Sequence, residues 1–186
     1  MNQKKKGNKA ERDACKIWNT WAKGRYEYTR VPSSGGLRWH RTNDTSGDIT
    51  SGSEGHKLQF CIEVKSHADI DFSQLLRNDL KNVKILEFWK QCTDDAKRCG
   101  KIPFLMCRYN GLPKGKFFIV MNLDDLINLG INADKIMPVI MASMQELIIF
   151  TSDALYNLDY ITIHKNAKIL NNKRNGKKKL KIKKTH

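Results

Sequence analysis

Apolar residues recur at helical spacing at Ala10, Ala14, Ile17, Trp18 and Trp21, which predicts a helix over about 9–23 that Gly24 stops. Tyr26 and Tyr28 then alternate with polar or charged neighbours, the pattern of a short strand reaching about Arg30. Residues 31–47 are dense in Pro, Ser, Gly, Asn and Asp and read as loop. Two strands are predicted at about 47–51 and 58–65, around the turn-like Ser51-Gly-Ser-Glu-Gly55. In the second, period two sends Leu58, Phe60, Ile62 and Val64 to one face and Gln59, Cys61, Glu63 and Lys65 to the other. Ile85, Trp89, Cys92, Ala96 and Cys99 mark a helix that ends at Gly100. Two more strands, Ile102 to Tyr109 and Lys116 to Met121, flank a Gly-Leu-Pro-Lys-Gly turn, and Asn122 can cap a short helix over Leu123–Leu129. Residues 66–80 are polar without a clear period, and 136–163 are strongly apolar in a way that fits strand or helix. The order of elements predicts a single α/β domain, a mixed sheet flanked by helices.

Charge divides the chain. Of the net +15, residues 165–186 supply ten Lys or Arg and residues 1–9 supply four, with no acid in either, so the body between them is close to neutral at +1. The expected organisation is a basic arm over 1–8, a domain over 9–163 and a basic, mobile tail over 164–186. Basic ends suit a polyanion, since cations near phosphates release condensed counterions. A solubilising tail or an anionic membrane surface would use the same charges. No stretch approaches the ~18–20 apolar residues of a bilayer span, and the charged first residues lack the apolar segment of a secretory signal. A cytoplasmic protein is expected. The five cysteines, at 15, 61, 92, 99 and 107, form no C-x-x-C pair and read as reduced, core-filling thiols.

Hydrolysis of a phosphodiester asks for a divalent cation on carboxylates, with a lysine near the attacking water. An acid-x-Lys triplet supplies part of this only on a strand, where both side chains share a face. Three occur: Glu63-Val-Lys65, Asp79-Leu-Lys81 and Asp95-Ala-Lys97. The last falls in a predicted helix, where positions i and i+2 diverge by about 200°. Glu63-Val-Lys65 alone ends an alternating strand and follows a second strand carrying an acid, Asp48. A hairpin between those strands would bring Asp48 to Glu63. The same residues read equally as a surface ion pair and a turn acid.

Taken in order, these stretches resemble the P-D-(D/E)-x-K, restriction-endonuclease-like nuclease superfamily, and within it the archaeal-type Holliday junction resolvases and phage relatives. The likeness runs from about Lys6 to Met121. It includes Lys6-Gly-Asn-Lys-Ala-Glu11-Arg12, Arg30-Val-Pro-Ser-Ser-Gly-Gly36, Gly47-Asp48-Ile49, Ile62-Glu63-Val64-Lys65-Ser66, Trp89-Lys-Gln91 and Gly100-Lys-Ile-Pro-Phe-Leu105. Gly47 stands where the superfamily's name has Pro.

The resemblance implies a restriction-endonuclease-like mixed sheet and a Mg²⁺-dependent endodeoxyribonuclease, Mn²⁺ substituting. It further implies branched-DNA resolution by a homodimer. Asp48, Glu63 and the Val64 carbonyl would ligate the metal, Lys65 would position the water, Glu11 would reach in from the first helix and Gln91 would assist. Ser33 and Ser34 match a loop that approaches the scissile strand. From their charge and place, Arg30, Arg38, His40 and Arg41 flank the centre and read either as phosphate contacts or as a solvated mobile loop, and Lys177, Lys178 and Lys179 would add affinity without reading bases. Glu11 reads otherwise as helix-end charge compensation, the two serines as turn chemistry, and Gln91 as a solvated helix position. The rival functions are a nuclease for duplex, fork or flap, an inactive nucleic-acid-binding protein, and a basic packaging protein; RNA is an open alternative to DNA.

Overall fold

The computed structural model describes residues 3–31, 47–68, 70–76, 83–136, 140–142 and 146–183, with the backbone alone for 3–4, 140–142 and 177–183. Helix α1 (Gln3–Trp21) leads into a two-stranded antiparallel ribbon of β1 (Tyr28–Arg30) and β2 (Ile49–Ser51). A mixed five-stranded sheet follows. It comprises β3 (Phe60–Ser66), β4 (Ile102–Arg108), β5 (Phe118–Asn122), β6 (Ile140–Ala142) and β7 (Leu147–Thr151), in the order β3-β4-β5-β7-β6. Among the described strands only β3 and β4 run parallel, joined through α2 (Lys84–Cys99); the other pairs are antiparallel. Short helices α3 (Leu123–Asn128) and α4 (Ala133–Ile136) precede the long α5 (Tyr160–Lys183). This is the expected sheet flanked by helices, compatible with a restriction-endonuclease-like fold.

Two apolar layers cover the sheet. On one face α1 sets Trp18, fully buried, among Tyr28, Phe60 and Phe104, with ring centroids 5.1–5.5 Å away. Such edge-to-face packing adds to the area that aromatics bury. Its indole N–H donates to the Met106 sulfur at 3.4 Å, and that of Trp21 donates to the Leu158 carbonyl at 3.0 Å. On the other face Leu105, Cys107, Val120 and Ile149 meet Ile85 and Cys92 of α2.

Local signals held where the chain's own chemistry settles the boundary. Gly100 closes α2 in the left-handed conformation, and the Asn122 side chain accepts from the Asp124 and Asp125 N–H groups at the start of α3. The five cysteines are free, and all but Cys99 are buried. Among the described residues no helix is long and apolar enough to cross a membrane.

Three expectations need correcting. The arm expected over 1–8 is helical from Gln3, with Asn8 bonded to Arg30 and Lys6 to Asn110. The tail expected from 164 continues α5. Ala167 and Asn171 are buried there, Arg174 pairs with the buried Asp125, and the Asn175 amide donates to the Gly100 carbonyl at 3.2 Å. Finally, β2 pairs with β1 and not, as a hairpin, with β3. The turn after β2 is drawn to the first ribbon strand, where Gly52 N–H donates to the Glu27 carbonyl at 2.8 Å. Residues 136–163, undecided from sequence, hold β6, β7 and a 3-10 turn over Ser152–Asn157.

Because Trp18 joins α1 to three other elements, Trp18→Ala should cost roughly 3–5 kcal/mol in urea unfolding. A loss below about 1 kcal/mol would mean that α1 is not locked to the sheet through this ring.

Candidate active site

Strand β3 lies at the margin of its sheet, and its backbone has one edge occupied and one open. Toward β4, the Gln59 carbonyl accepts from Ile102 and the His67 N–H donates to Arg108, both at 3.1 Å. Alternation along a strand therefore turns the odd residues to β4 and the even residues, Ile62 and Val64, to the open edge. There Asp48 docks. Its N–H donates to the Ile62 carbonyl at 2.7 Å, and its carboxylate accepts from the Val64 N–H at 2.7 Å. The N–H and C=O of one strand residue point to the same edge, so the Val64 carbonyl faces the side that Asp48 occupies.

Gly47 makes this approach possible. Its φ is +84°, and a Cβ there would stand 2.5 Å from the Ile62 carbonyl oxygen. Proline, locked near φ −65°, cannot adopt this backbone. The departure from the superfamily's lettering thus has a steric cause.

The remaining groups come from the two faces of the sheet. Glu63, 4 % exposed, points to the α2 side, where the Gln91 amide donates to its Oε1 at 2.9 Å and Lys65 Nζ lies 2.6 Å from the same oxygen. Phe88, one turn before Gln91 on α2, puts its ring centroid 5.5 Å from Lys65 Nζ. Glu11 stands on α1, across the sheet, with its Oε2 2.5 Å from Arg30 Nε; the Arg30 Nη2 donates to Asn8 at 2.8 Å. Arg30, expected to face phosphate, is thus engaged by α1.

Burial raises the Asp48 carboxyl to about 7, and the negative charges of Glu63 and Glu11 add to the rise; the Val64 N–H and Lys65 oppose it. Burial likewise pushes the Cys15 thiol up to about 11, which makes this buried cysteine of α1 an inert filler. Asp48, Glu63 and the Val64 carbonyl form an all-oxygen set of the kind that holds a hard divalent ion together with water. Among the described residues no group of three or more His, Cys, Asp or Glu could hold a metal. Glu11 on the opposite face, already paired, fits that result.

Of the other acid-x-Lys triplets, Asp95 sits in α2 and pairs with Arg98, while Asp79 and Lys81 lie outside the described residues. Ser33, Ser34, Arg38, His40 and Arg41 also lie outside them, and for Lys177, Lys178 and Lys179 only their place in α5 is described. Sequence reasoning missed Asn8 and Phe88. Phe88 carried a usable signal, since position i−3 from Gln91 shares its helix face.

A model of the family described as "Phage putative PDDEXK endonuclease" matches residues 2–171. No curated protein and no solved structure matches the chain.

Two outcomes are expected. Because Asp48 is raised when folded, the native state keeps a proton that the unfolded chain has lost between about pH 4 and 7, so stability falls as pH climbs through that window. Asp48→Asn should flatten the fall and, with chelator at pH 8, raise Tm by ~2–8 °C, corresponding to roughly 1–2 kcal/mol. Identical Tm–pH curves for the two proteins would refute the buried-acid reading. Gly47→Ala, strained in φ and crowding Ile62, should lose about 1–3 kcal/mol in the same melts.

Proposed function

The chain belongs to the phage PDDEXK endonuclease family, a nuclease assignment, and on that premise we propose a Mg²⁺-dependent endodeoxyribonuclease that resolves branched DNA, four-way junctions above all. The observation that carries the reading is Asp48 held on the open edge of β3 by the Val64 N–H, near enough to Glu63 for that carboxylate's charge to act on it, with Lys65 on the Glu63 carboxylate.

Asp48, Glu63 and the Val64 carbonyl would hold Mg²⁺, or Mn²⁺ in its place. When bound, the ion supplies charge neutralisation on the phosphate and a lower pKa for a nearby water. Lys65 orients the attacking water with its ammonium and offsets negative charge growing on the phosphate. Phe88 restricts where that ammonium can swing, and Gln91 fixes the Glu63 carboxylate through its amide. Glu11, held by Arg30, keeps further negative charge on the far side of Asp48. Attack in line on the scissile phosphorus breaks one P–O bond, leaving a phosphate on one product and a hydroxyl on the other.

The junction preference rests on the likeness to resolvases in the order of motifs. It brings with it a homodimer, because two symmetric cuts need two centres. Ser33, Ser34, Arg38, His40 and Arg41 in the loop, with Lys177, Lys178 and Lys179 late in α5, are the proposed phosphate contacts outside the centre.

End-labelled four-way junction and matched linear duplex, incubated with Mg²⁺ or with EDTA, test the proposal. Paired cuts in the junction alone, absent in EDTA and reduced about 10²–10³-fold by Lys65→Ala, are expected. Metal-dependent cutting of both substrates would retain the nuclease and remove the junction preference. Tight binding without any cutting would move the protein to the inactive DNA-binding class.

A further inference from the structure

A cleft of about 200 Å³ opens at the same end of the sheet as the carboxylates. Its walls come from three parts of the fold: Lys6, Lys9 and Asp13 on α1, Ser66 at the end of β3, and Arg108 with Lys114 from β4 and the turn after it. Ser66 ends the strand that carries Glu63 and Lys65, and Lys6, Lys9 and Asp13 lie on the helix that carries Glu11, so the cleft flanks the proposed cutting centre on the α1 face.

Four cations face one carboxylate in this recess, and they divide into fixed and mobile groups. Arg108 is fixed: its Nη2 donates to the Leu112 carbonyl at 3.0 Å and the Pro113 carbonyl at 3.3 Å, and its guanidinium lies 5.5 Å from the Phe117 ring centroid. Asp13, at 3.9 Å, offsets only part of its charge. Lys6 is held by the Asn110 side-chain oxygen. Lys9 and Lys114 are exposed and reach the cleft from opposite walls. A concave surface that retains about three surplus positive charges concentrates the field on whatever anion enters it. Its volume suits one phosphodiester group and excludes a duplex.

We propose that this cleft is a subsite for a backbone phosphate of the bound DNA strand, a neighbour of the scissile one seated past the end of β3 on the α1 face of the sheet. Lys9 and Lys114 are its direct contacts, and Arg108 is the fixed charge behind them. The proposal rests on the nuclease reading and deepens it. A phosphate seated here fixes where the strand runs past the carboxylates, so α1 and the β4–β5 turn act as positioning elements. Contacts of this kind carry no base specificity.

The test is DNA binding by the full-length protein in EDTA, followed by fluorescence anisotropy on a labelled four-way junction and a linear duplex between about 50 and 200 mM salt. The Lys9→Ala/Lys114→Ala variant should show a log Kd–log salt slope shallower by about 1.8, with binding at least roughly tenfold weaker at the low-salt end. Lys90→Ala/Lys135→Ala removes the same charge from exposed positions on α2 and α4 and should keep the wild-type slope. Melting curves for both variants check that each is folded. A Lys9/Lys114 variant that binds like the Lys90/Lys135 control overturns the subsite, as does wild-type protein that binds no DNA. Cleavage is not read here, so the two proposals fail separately. A protein that binds through Lys9 and Lys114 yet cuts nothing loses only the nuclease reading, and one that cuts with an unaltered slope loses only the subsite.

Discussion

The two hydrogen bonds between Asp48 and the open edge of β3 hold a carboxylate where burial, and after it the charge of Glu63, raises its pKa. Most of the described site is arranged around that placement. The ribbon of β1 and β2 delivers Asp48, since Val31 N–H donates to the Asp48 carbonyl at 2.9 Å and β2 starts at the next residue. The ribbon is in turn held by Tyr28, buried against Trp18. Helix α2 then supports Glu63 and Lys65 from the other face through Gln91 and Phe88. The centre is a junction of three layers, the two faces of the sheet and its margin, and packing in each layer bears on the chemistry.

Much of this was legible in the chain, and the residues themselves show why. The alternation in 58–65 correctly put Glu63 and Lys65 together, because period two is a property of the strand backbone and needs no partner. Gly100 and Asn122 marked their helix ends because each acts on backbone groups within a few residues. Gln91 was tied to the centre only through resemblance, yet its bond to Glu63 is direct. The family assignment and the mixed sheet agree with the reading of ordered motifs.

What escaped was set by distant contacts. Whether 47–51 pairs with the strand before it or the strand after it depends on the ribbon and on close approach at Gly47, which composition does not encode. Basic composition over 164–186 suggested a mobile tail, but Ile163, Ala167 and Asn171 recur at four-residue intervals and are buried against the domain. That spacing was present in the sequence, masked by the lysines between. The bonds of Arg30 to Glu11 and Asn8, 19 and 22 residues away, were likewise not signalled by anything nearby in sequence.

Gly47 bears on how a centre of this kind changes in descent. A residue at φ +84° with its α-carbon against a neighbouring backbone has no single-step route to proline, whose ring demands the opposite sign of φ and a different path for the loop. The glycine and the docked aspartate therefore depend on each other, and a chain with proline at this position has to bring its aspartate to the strand margin along a different backbone path. A search pattern that insists on proline would pass over chains with this glycine while their carboxylates stand in place.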